Sequence, residues 1–137
     1  MLRNNIARLT YTAVFISNLI CIIAFIFNPA DYTYSYGVSG CIGSCAAIQG
    51  LGVAFAMWNT TYPFFIIRPD KNKTLGLVII LQQLVGLIGE LYIRSTLSAD
   101  AAVLSSSILR FVYFDAGGLV LLVAGYAICF IAVPRSK

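Results

Sequence analysis

Four charged side chains sit where charge is expensive. Glu90, Arg94, Arg110 and Asp115 fall within or at the edges of long apolar runs. There each ionised group costs about 2.5–3.5 kcal/mol on insertion scales, so such residues are generally paired or engaged with an ion or ligand. Glu90 and Arg94 are four apart with the acid first, the favourable order for a helical ion pair. Arg110 and Asp115 lie at matching depth on the next run, so two acids and two bases make a neutral set. Gln82, Gln83 and Gln49 extend this polar group inward. Two kinds of chemistry are open: a structural clasp joining the third and fourth spans near the outer surface, or an outward-facing polar pocket for a small solute or ion.

The remaining reactive residue types offer less. The chain has no histidine, which removes His-based triads, haem imidazoles and His-containing metal sites. Cys41 and Cys45, four apart on a straight helix, point poorly for a disulfide. No C-x-x-C pair is present of the kind used by thiol oxidoreductases resembling vitamin K epoxide reductase. A metal site needs more ligands than the sequence assembles, so the cysteines read as small packing residues. No catalytic residue, metal or cofactor is expected, and the chain reads as a non-enzymatic protein. The mid-span acid that small multidrug exporters carry in their first span is missing here. Selectivity-filter repeats and broken-helix pairs, which mark many channels and carriers, are not evident either.

These residues must be positioned by the run 74–94, TLGLVIILQQLVGLIGELYIR. As one helix it is long enough to cross a bilayer core. Gln82, Gln83, Gly86, Gly89, Glu90 and Arg94 fall within a sector of about 140°, while the bulky leucines and isoleucines take the other side. Hydrophobic content of 60% with 10% charge is far from the roughly 25% charge of soluble domains. Lipid-spanning backbone must be helical or form a closed barrel, and apolar runs near 20 residues without alternation exclude barrel strands. A cleavable signal peptide is not expected, because the first run is too long.

Three further spans follow from the pattern, at about 9–27, 39–58 and 107–133. Small residues mark the expected packing surfaces. They are Ser17 and Cys21 on span one, Gly43, Ala47 and Gly50 on span two, Gly86 and Gly89 on span three, and Gly118 and Gly125 on span four. Span two is small on two sides and is expected to be the central helix, with Trp58 at its far interface. Asn18 should find a partner across a helix contact. Tyr32, Tyr34 and Tyr36 suit a headgroup layer, and 59–67 either extends span two or lies along the surface.

The fold class is all-α: a single transmembrane domain over 1–137, a four-helix bundle running up-down-up-down. Arg3, Arg8, Arg68, Lys71, Lys73, Arg135 and Lys137 fall on one side and only Arg94 and Arg110 on the other. This bias puts both termini in the cytoplasm. The basic residues flank spans and form no nucleic-acid stripe. The stretch from Met57 to Thr74, with the downstream Gln-Gln and Gly-Glu pairs, resembles bacterial four-helix membrane proteins. That resemblance implies a bacterial inner (plasma) membrane and carries no function. The expected partners are membrane lipid and either further copies of the chain or a larger membrane complex. The expected role is an interaction or accessory module with a polar pocket or clasp. The alternative is an oligomeric small-solute or ion transporter or channel using Glu90 and Asp115.

Overall fold

The computed structural model describes residues 2–38 and 42–131, which are 87% helical with no strand among them. Three helices are long and apolar enough to cross a membrane: α1 (Leu2–Phe27), α5 (Lys73–Thr96) and α6 (Ala102–Phe130). The intervening elements are α2 (Ala30–Thr33), α3 (Ile42–Asn59), α4 (Tyr62–Ile67) and a 3₁₀ turn at Pro69–Lys71. α1, α5 and α6 start before the apolar runs at 9, 74 and 107, at Leu2, Lys73 and Ala102. The start of the expected second span, with Cys41, and the final basic tail lie outside the described residues.

The described part of the expected second span is one helix, α3, and the helix breaks just beyond it. The 18 described residues of α3 rise ~27 Å at 1.5 Å per residue. Beyond Asn59 the N–H groups of Thr60 and Thr61 reach back only three residues, to Met57 and Trp58, at 3.4 Å. Pro63 has no N–H to continue the ladder. The path is carried on by α4, so 62–67 extends this segment. Arg8 fastens the end of α4, donating from Nε to the Ile66 carbonyl (3.1 Å) and from Nη2 to the Ile67 carbonyl (3.0 Å). Tyr11 stacks on Phe65 with ring centres 4.1 Å apart.

Packing follows the order α3–α1–α6–α5, each helix against the next. This corrects the expectation that α3 is the central helix: α1 and α6 are central, while α3 and α5 stand at the edges. The cause is residue size. α1 buries a stripe of Ala7, Tyr11, Val14, Ile22 and Phe25 that needs helices on both sides. α3 buries only Ile48, Gly52 and Asn59 among the residues described. The tight core of Ala7, Tyr11, Val14, Tyr62, Phe65, Ile79 and Leu122 occupies the half of the fold that holds the start of α1 and the end of α6. The other half is looser, and the candidate site lies there.

Close approach explains some of the marked glycines. A Cβ on Gly125 would collide with Thr10, one on Gly86 would come within 2.8 Å of the Trp58 ring, and one on Gly118 within 3.2 Å of Gln83. Gly50 and Gly89 have nothing within 4 Å, and Gly43 and Ala47 are exposed. A Cβ would therefore find open space at Gly50 and Gly89, the latter at the edge of a cavity. Ser17 and Cys21 are half-buried, flanking the buried stripe of α1.

Candidate functional site

A layer of amides and one acid crosses the middle of the fold. Asn18, midway along α1, donates from Nδ2 to Asn59 Oδ1 at 3.3 Å, and Asn59 donates from its own Nδ2 to the Phe15 carbonyl at 3.3 Å. Gln83 on α5 is 2% exposed. Its Nε2 donates to Asp115 Oδ1 at 2.9 Å, and its Oε1 accepts from the Tyr62 hydroxyl at 3.5 Å. Gln82 accepts at 3.4 Å from Thr61, where α3 breaks. The partner expected for Asn18 is thus the amide that ends α3. Trp58, next to it, turns its ring toward Gly86, midway along α5.

Beside this layer is a cavity of about 230 Å³ between α3 and α5, floored by α1 and α6. Phe55 and Trp58 face it from α3, Gly86 and Glu90 from α5, and Phe111, Phe114 and Asp115 from α6. α3 and α5 share no extended contact, so the cavity is open along that side. Val85, 69% exposed, lies at this margin. Two buried polar atoms here have no hydrogen-bond partner: Glu90 Oε2 and Trp58 Nε1. Unmatched buried groups of this kind are uncommon and call for an explanation.

The arginines do not answer the acids. Arg94 is exposed and its Nε donates to Ser105 Oγ at 3.4 Å, while Arg110 donates from Nη2 to Ser107 Oγ at 3.0 Å. Among the described residues, Glu90 and Asp115 form no ion pair with either. The four-charge clasp is therefore not formed by direct contact: the acids turn into the cavity and the bases bond serines near the helix ends. Gln49 is also elsewhere, exposed on α3 and donating to the Ile26 carbonyl at 3.0 Å. Of the seven residues marked by the sequence, Gln83, Glu90 and Asp115 meet at this cavity.

A second cavity, of about 260 Å³, lies toward the α2 end and is lined by Tyr32, Ser35, Tyr36, Arg110, Phe111 and Phe114. Phe111 and Phe114 stand between the two cavities, lining both. Tyr32 and Tyr36 fold inward, with ring centres 4.7 Å and 6.3 Å from Phe25. Burial pushes the Tyr36 phenol up from its usual value, with the nearby Glu90 charge adding to the shift. Tyr34 alone of the three points out, at 78% exposure.

The aromatic wall is what the sequence reading missed. Phe111, Phe114 and Asp115 are spaced three and one apart, which puts them on one helical face. That signal was available beside the acid. Cys21, Cys45 and Cys129 carry free thiols. The chain matches no protein-family model, no curated protein and no solved structure.

Proposed function

We propose that the chain is a non-enzymatic four-span membrane bundle, and that its α3–α5 cavity binds a cation for passage across the bilayer, with Glu90 and Asp115 as the working acids. One observation carries this reading: a carboxylate oxygen of Glu90 is buried at the cavity with no partner, while both nearby arginines are engaged elsewhere. A buried anion without a counter-charge is costly, and a bound cation would offset that cost. In this reading the α3 and α4 segments together make the second span. The seven-to-two distribution of basic residues supports a cytoplasmic side for both termini in this reading.

Cation flux from reconstituted vesicles tests the reading. It should fall at least tenfold in both Asp115→Asn and Glu90→Gln. Thermal stability of Glu90→Gln in detergent should be unchanged or higher, because no hydrogen bond of Oε2 is lost. A lowered Tm with unchanged flux would restore the structural clasp. A second reading, an interaction module joining copies of itself, is supported by the bare face of α3, where Gly43, Ala47 and Gly50 are exposed. The two are compatible, since four spans alone rarely enclose a pathway.

A further inference from the structure

Resting on that cation reading, we infer that the ligand of the α3–α5 cavity is a small organic ammonium ion, an N–H-bearing amine with an apolar body. The argument is the chemistry of the wall. Hard inorganic divalent cations take six or more oxygen ligands. Here Asp115 Oδ1 and Gln83 Oε1 are already bonded, to Gln83 and Tyr62. Asn18 engages Asn59. The fully buried oxygen without a hydrogen-bond partner among the described residues is Glu90 Oε2, and two carboxylates with one or two amides fall short of such a shell. Around it stand four aromatic rings, Phe55, Trp58, Phe111 and Phe114, and ring faces attract ammonium groups by their quadrupole.

Size and access agree. A dry apolar cavity of about 150 Å³ accepts benzene, so about 230 Å³ suits a ring or short branched chain bearing one ammonium. An N–H of the amine would satisfy Glu90 Oε2 and place a positive charge beside the carboxylate, which a neutral alcohol does not. Since the cavity is open between α3 and α5, the amine can arrive from the bilayer as a free amphipathic molecule or as the headgroup of an aminophospholipid. Both present the same chemistry.

Trp58 is the single tryptophan of the chain and lines the cavity, so its fluorescence reports occupancy without a label. The full chain in phosphatidylcholine nanodiscs would be titrated with benzylamine, its neutral match benzyl alcohol, and sodium or potassium chloride. Saturable quenching by benzylamine is expected, at least tenfold weaker for benzyl alcohol and for Glu90→Gln, and unchanged for Asp100→Asn. Nanodiscs containing phosphatidylethanolamine distinguish the sources: competition with benzylamine assigns the lipid headgroup, and unaltered titration assigns a free amine. Equal binding of benzyl alcohol, a comparison that needs no variant, would overturn the proposal. A response to sodium or potassium without one to benzylamine would overturn the ligand class and leave the cation reading standing. Silence toward every cation would remove both.

Discussion

At the scale of single residues, the described glycines divide by what lies against them, and the division predicts opposite outcomes from the same substitution. Gly125 leaves no room for a Cβ beside Thr10, whose hydroxyl is held to the Ala7 carbonyl at 3.1 Å. Gly125→Ala must push α1 and α6 apart or rotate Thr10, costing about 1–3 kcal/mol as overpacking does. Gly89 has open space around its Cα, so Gly89→Ala should gain up to about 1 kcal/mol of helix propensity. Thermal unfolding of the two variants in one detergent would check the sign of each. Both glycines belong to small-residue patterns in the sequence, and nothing in those patterns tells them apart. The difference arises from a neighbour more than 100 positions away. Glu90 illustrates the same gap: its place on the polar face of α5 is legible, but the direction Arg94 takes is set by Ser105 across the helix pair.

At the scale of elements, long helices were readable because twenty apolar residues have few ways to satisfy their backbone in lipid. The interruption after Asn59 was harder to read. Pro63 signalled a disturbance, yet whether the chain turned aside or went on depended on partners in α1. Those partners are polar. Asn59, 4% exposed, accepts from Asn18 and donates to the Phe15 carbonyl, which offsets the loss of helical bonding at the break. Intramembrane side-chain hydrogen bonds average about 0.6 kcal/mol, with a maximum near 1.7. A double-mutant cycle of Asn18→Leu and Asn59→Leu should therefore give a coupling of about 0.5–1.5 kcal/mol. Each single variant is expected to be the more damaging per group removed, because it leaves a buried amide unmatched. A coupling of zero would mean that the break is held by Pro63 and the Arg8 contacts alone.

At the scale of the whole molecule, the packing order decides what the protein can do alone. Two central helices, α1 and α6, hold the fold together, and two edge helices leave a gap. The sequence marked α3 as a packing helix through Gly43, Ala47 and Gly50, and in the single chain all three are exposed. Small residues do not name their neighbour, and a Cβ on Gly50 has no atom within 4 Å in the single chain. In lipid, small side chains let backbones approach, and that approach is the main source of helix association. The bare face of α3 therefore fits a contact between copies, and a gap beside it would be walled by the second chain. Blue native electrophoresis after mild extraction should show more than one copy per particle. Gly50→Leu discriminates between fold and assembly. A Cβ there meets nothing within 4 Å in the single chain and the position is exposed, so Tm of the dispersed protein should hold or rise slightly with helix propensity. The oligomer band should shift to monomer, and if cation passage needs the second chain, flux should fall with it. An unchanged band with unchanged flux would assign that face of α3 to lipid.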